Sequence, residues 1–114
     1  MDKKKLLKSI IHKKVKLIDY ENIRAKNGSR YLGFGRFAGI VGCFNTLNLY
    51  LSYNKFISLG RAYKINNYDR LKHNLSNVIF PNFKLLITGD GRVAKGALEL
   101  LRQTNITQIS KHEY

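Results

Sequence analysis

Phe83-Lys84-Leu85-Leu86-Ile87-Thr88-Gly89-Asp90-Gly91-Arg92-Val93-Ala94 is the stretch from which the fold is read. Its first six residues form a short apolar run of the kind buried in a parallel sheet. Pro81 punctuates the chain just before it. The run ends in a glycine turn, and Val93, Ala94, Ala97, Leu98, Leu100 and Leu101 then recur with helical period. Asn105 is a suitable helix terminator, and Ile106 to Ser110 resembles a second strand. The order is strand, turn, helix, strand, a βαβ unit, and the predicted fold class is α/β.

The turn Gly89-Asp90-Gly91-Arg92-Val93-Ala94 matches the G-x-G-x-x-G/A fingerprint of dinucleotide binding. Gly89 would allow a tight exit from the strand. Gly91 would let a pyrophosphate approach the backbone, since a Cβ there would block it. Ala94 would let the helix lie close. The helix N-terminus offers unbonded N–H groups and the positive end of its dipole to phosphate, and Arg92 either adds charge or stays solvated. An acid that grips the ribose is expected about 20 residues after the motif, and Glu113 stands near that place. The cofactor reading is NAD, with NADP left open. The alternative is a glycine turn that binds nothing.

Upstream, residues 36–53 carry the strongest helical stripe, with Phe37, Ile40, Val41, Phe44, Leu47 and Leu51 on one face. Gly35, Gly39 and Gly42 would each weaken that helix against alanine. They are tolerable where two backbones approach closely, so this end is predicted to pack against another element. Residues 54–66 read as an irregular connection, and 67–77 as a short helix with Tyr68, Leu71 and Leu75 inward. Residues 3–13 place Leu6, Leu7, Ile10 and Ile11 on one face of a helix and lysines on the other. Val15 to Tyr20 alternates as a strand would, the Asn27-Gly28 pair marks a turn, and Arg30 to Phe34 reads as a short extended segment. Cys43 is read as a buried small apolar thiol. His12, His73 and His112 are isolated in sequence, so no metal site is predicted.

The 114 residues suit about one domain. Apolar residues make up 44%, enough for a packed core. One cysteine excludes a disulfide framework. Lys and Arg total 21 against 7 acids, a net charge of +14. That charge fits two readings: a surface selected for polyanions, or codon drift, because the 14 Lys, 11 Ile and 11 Asn share AT-rich codons. No segment interleaves aromatics with arginine, so nucleic acid is disfavoured as a partner. The apolar stretch Leu6 to Ile11 is too short for a signal core or a membrane span, and the expected location is cytoplasmic with no membrane partner.

Two separated segments together resemble one family, the lysine-forming saccharopine dehydrogenases. Leu17-Ile18-Asp19-Tyr20-Glu21, then Arg30 and Phe34-Gly35-Arg36-Phe37-Ala38-Gly39-Ile40-Val41-Gly42, is similar to its "LxDxE" strand, arginine and "FGxxAGxxG" helix entry. Gly89 to Ala97 is similar to its "GxGRxGxGA" cofactor loop, with Ala94 in place of a glycine. The broader group includes alanine dehydrogenase and the nucleotide-binding subunit of transhydrogenase. The resemblance implies a partial Rossmann-like fold: residues 1–35 the end of a substrate lobe, 36–80 a connecting helix and linker, and 81–114 the start of the NAD-binding lobe. It implies hydride transfer from the C–N bond of an amino-acid substrate to NAD. Arg30 would bind a substrate carboxylate, a match for a guanidinium fork, and Phe34 would be a neighbouring contact. Gly91 and Arg92 align with cofactor contacts and Glu113 with the ribose acid. The family's lysine and histidine acid–base pair has no counterpart here, so no catalytic residue is assigned.

The chain is therefore expected to be an internal fragment of a dehydrogenase. The alternatives are a non-catalytic subunit or split-gene half completed by a partner chain, and a basic nucleic-acid-binding protein. Unpaired strand edges would favour self-association unless a complementary chain is present.

Overall fold

The computed structural model describes residues 3–109. Among the described residues four α-helices form: α1 (Lys3–His12), α2 (Gly35–Tyr53), α3 (Tyr68–Ser76) and α4 (Arg92–Leu101). All four fall where the apolar periodicity puts them. The α/β expectation is overturned: among the described residues there is no sheet, and the only β-type pairing is an isolated antiparallel bridge between Arg24 and Arg30. A Rossmann-like fragment is thereby excluded as the fold of the described residues. The physical reason is that a strand exists only as part of a ladder. Phe83 to Thr88 and Ile106 to Ile109 find no ladder partner, nor does Val15 to Tyr20; the first two and residues 15–19 lack regular structure, and Tyr20 opens a 3-10 turn.

The chain divides into two compact units, Met1–Gly33 and Phe34–Tyr114. In the first, no described residue is buried. Helix α1 ends in a Schellman motif: Lys14 adopts φ +50 and its N–H reaches the Ile11 carbonyl, while the Val15 N–H reaches Ile10. Asp19 then accepts from the Glu21 N–H (3.0 Å) and from Asn22 Nδ2 (2.5 Å), folding Tyr20–Asn22 into a 3-10 turn. The predicted Asn27-Gly28 turn is present. Gly28 has φ +78, and Asn27 Oδ1 accepts from both the N–H and hydroxyl of Ser29.

The second unit holds the core: Ile40, Phe44, Leu47 and Leu51 from α2, Leu71 and Leu75 from α3, Leu100 and Leu101 from α4, and Phe80. Helix α3 starts at Asn67, whose side chain accepts from the Arg70 N–H (2.9 Å). Two asparagine side chains replace missing backbone partners. Asn105 donates to the Phe80 carbonyl (3.0 Å) and accepts its N–H (2.9 Å), serving both polar groups as a neighbouring strand would. Asn48 does the same for the Leu59 N–H and the Gly60 carbonyl. The run at 83–88 is held by side chains: Phe83 stacks on Tyr50 with centroids 4.5 Å apart, and Ile87 packs on the core.

Helices α2 and α4 make the main contact of this unit. The crossing is set by glycines on both sides. A Cβ on Gly39 would collide with the Val93 carbonyl, and one on Gly96 with the Arg36 carbonyl. The close packing expected for the glycine-rich start of α2 is present, and its partner is α4. Arg36 and Glu99 tie the same two helices together through a two-pronged ion pair, at 2.7 and 2.5 Å.

Candidate functional site

The start of α4 and the glycine-bearing face of α2 enclose one side of a groove of about 450 Å³. The segment Leu85 to Gly89 supplies the opposing wall. The volume lies within the range of small-molecule pockets. Five of the six residues of the predicted cofactor turn, Gly89, Gly91, Arg92, Val93 and Ala94, line it, and Asp90 does not.

Each reaches the groove for a local reason. Gly89 has φ +85, a conformation that favours glycine, and it turns the chain from the apolar run toward α4. Gly91 is the N-cap of α4, with no side-chain cap, and the first intrahelical bond runs from the Lys95 N–H to the Gly91 carbonyl. The helix itself supplies no acceptor to the amides of its first turn. Arg92 is exposed at the first helical position, and Asp90 stands beside the turn as an opposing charge. Ala94 is buried, letting α4 settle on α2 rather than on a strand.

Neither backbone conformation nor a neighbouring atom requires glycine at position 91. Gly91 has an ordinary φ of −70, and a Cβ built there would meet nothing within 4 Å. Its lack of a side chain answers no need of the chain's own packing. It leaves space open at a helix N-terminus, where an anion is stabilised.

Phe34 and Arg30 are not among the residues that line the groove. Phe34 is the N-cap residue of α2 and is 69% exposed. Arg30 belongs to the first unit, in the bridge with Arg24. Glu113 lies outside the described residues. Among the described residues no group of three His, Cys, Asp or Glu side chains could hold a metal ion.

Sequence reading missed two features. Cys43 lines the groove, half-buried, and burial pushes its thiol up to about 11. Glu99 accepts from Arg36 and also from the Tyr68 hydroxyl (2.7 Å). These bonds, Arg36 first, hold its carboxyl down at about 2. Burial and then the bond to Glu99 push Tyr68 up to about 12. The signal was Glu99 as the lone acid among the residues of α4, which calls for a cationic neighbour on the facing helix.

Compared with known proteins, the chain aligns over 95% of its length with a mouse protein at 29% identity. The chain is similar to alpha-aminoadipic semialdehyde synthase. A rat alpha-aminoadipic semialdehyde synthase matches to the same extent, and one from Arabidopsis thaliana is 32% identical over 85% of this chain. The chain spans only 14% of the mouse synthase and 11% of the Arabidopsis one. The mouse and rat synthases are named as mitochondrial, whereas the cytoplasmic expectation for this chain rests on its sequence alone. No helix among the described residues is long and apolar enough to cross a membrane. No family model and no solved structure matches the chain.

Proposed function

We propose that this chain is the cofactor-gripping segment of an NAD-dependent amino-acid dehydrogenase of the lysine-forming saccharopine dehydrogenase kind, within lysine metabolism. The observation that carries the reading is the groove in which Gly89, Gly91, Arg92, Val93 and Ala94 converge with α2. The similarity to alpha-aminoadipic semialdehyde synthases supports it. NAD, when bound, accepts hydride from the carbon of a C–N bond. Gly91 and the first turn of α4 would hold the pyrophosphate, Arg92 would offset its charge, and Glu113 would hold a ribose hydroxyl. This grip needs a turn and a helix N-terminus, not a sheet.

Arg30 would bind a substrate carboxylate through its guanidinium fork, with Phe34 as a second substrate contact. The chain as given contributes no acid–base pair to this scheme, so turnover would require groups supplied by further polypeptide. Exposed apolar residues such as Ile79 (88%) and Leu86 (80%) suit such a complementary chain, or self-association.

Calorimetric titration with NAD and NADP, repeated on Gly91→Val, tests the reading. The expected result is binding that the substitution abolishes while circular dichroism stays unchanged, since a Cβ at Gly91 meets nothing within 4 Å. A folded chain that binds neither nucleotide would overturn it.

A further inference from the structure

Helix α1 carries no buried residue. Leu6, Leu7, Ile10 and Ile11 share one of its faces, at i, i+1, i+4 and i+5. Leu6, Leu7 and Ile11 are 45%, 57% and 67% exposed. An aliphatic stripe of this kind ordinarily faces a core. Here the Schellman turn closes the helix and the stripe stays largely in water.

The charges around the stripe are of one sign. From Lys3 to Ile18 there is no acidic residue, and lysine supplies every full charge. Lys5 and Lys8 fall on the face opposite the stripe, and Lys13, Lys14 and Lys16 follow the helix end, all of them exposed. Lys3, Lys4 and Lys5 occupy the first turn, where the helix dipole favours acids, and no acid stands in that turn. The placement disfavours the helix in isolation. It suits a helix whose lysines meet negative charge from outside.

The chemistry selects among occupants. A second copy of the chain would bring its own lysines against these, and like charges repel. A nucleic acid would answer the charge but leave the stripe in water, since Leu and Ile offer no ring for bases to stack on. Protein partners are gripped mainly by tryptophan, tyrosine and arginine, and α1 contains none of them. An anionic lipid surface answers both halves of the helix. Its headgroups attract lysine diffusely, and its acyl boundary accepts an aliphatic stripe. The shortness of α1 excludes spanning a bilayer, whereas lying in the interface depends on apolar area and charge. So short a stripe buries little area, and neither half suffices alone.

We propose that α1 is a reversible anchor lying in the interface of an anionic membrane, with Leu6, Leu7, Ile10 and Ile11 toward the acyl chains and the lysines among the headgroups. It stands apart from the nucleotide reading of the groove. It revises the expectation of no membrane partner, which rests on the shortness of the Leu6 to Ile11 stretch.

Co-sedimentation of the full chain with phosphatidylcholine vesicles, with and without phosphatidylserine, is the test. The expected result is binding to the phosphatidylserine vesicles alone, weakened by salt, with the amides of residues 3–12 gaining exchange protection there. The double substitution Leu7→Gln with Ile11→Gln leaves the charge unchanged and removes no buried contact. It should lower the partition coefficient about tenfold or more at equal salt, with the circular dichroism of the free chain preserved. Lys5→Gln with Lys8→Gln should also lower it. Failure to bind phosphatidylserine vesicles would overturn the proposal. Binding indifferent to Leu7→Gln with Ile11→Gln would overturn it too, because net charge alone would then be the cause. A single-stranded DNA oligonucleotide bound as tightly as the vesicles, with the same indifference, would assign that charge to nucleic acid instead.

Discussion

Glu99 receives three hydrogen bonds from two side chains, two from Arg36 and one from Tyr68. Its carboxyl, ordinarily at 4.5, is held at about 2, chiefly by Arg36. A depressed folded-state value contributes stability that is present above the ordinary value and is lost as pH falls toward 2. Tyr68 runs the other way. Its value rises from 10.0 to about 12, so its contribution is complete below 10 and disappears as pH climbs through 12. Thermal melts across pH 2 to 12 should therefore fall off at both ends, and Glu99→Gln should flatten the acid limb between pH 4.5 and 2. An acid limb unchanged by that substitution would show that Glu99 is not its source. Cys43 makes a separate residue-scale prediction. With its thiol raised from 9.0 to about 11 by burial, the thiolate fraction near neutral pH drops about a hundredfold. Alkylation by iodoacetamide should be slower than for a free cysteine by a similar factor, and should recover on unfolding.

The helices were legible in the sequence and their partners only partly so. Periodicity located α2 because Ile40, Phe44, Leu47 and Leu51 recur at helical spacing, and all four are buried. The glycines of α2 announced a close approach, but not that α4 would make it. The ends of α1 and α2 fall within a residue of the expected 13 and 53, but the lysines that take the left-handed position just beyond them, Lys14 at φ +50 and Lys55 at φ +59, carry no such signal in the sequence. The strands were misread because an apolar run by itself specifies neither pairing nor burial: Leu85 and Leu86 are exposed. Phe83 and Ile87 are packed by Tyr50 and the core, and among the described residues no second strand is at hand. For the crossing itself, Gly39→Ala sets two effects against each other. Alanine gains up to about 1 kcal/mol of helix propensity. The clash is with a backbone carbonyl that cannot rotate aside, and overpacking of this kind costs about 1–3 kcal/mol. The clash wins, so Gly39→Ala and Gly96→Ala should each lower stability in urea unfolding, by about 1–2 kcal/mol. A stabilised Gly39→Ala would mean that α2 and α4 do not cross at these glycines.

At the scale of the molecule, burial is unevenly distributed. Residues 3–33 include no buried side chain, while the second unit contains the whole described core. Apolar area removed from water is the main term opposing chain entropy. In the first unit Leu17 and Ile18 are more than 70% exposed, so hydrophobic burial adds little to its local stability. It is held instead by short-range hydrogen bonds, the Schellman end of α1, the Asp19 turn and the Asn27 turn, each within reach of competing water. Local opening free energies follow such differences. Amide exchange in residues 3–33 should therefore be nearly unprotected. Protection should concentrate in α2 and α4, around Phe44, Leu47 and Leu100. Trypsin in native buffer should cut first among the lysines of residues 3–26 and release a fragment that begins near α2 and keeps a cooperative melt. Protection in residues 3–33 equal to that of α2 would contradict this division. It would indicate that α1 buries its apolar face against polypeptide, as in an oligomer or with a complementary chain, and sedimentation of the same sample would distinguish those two cases.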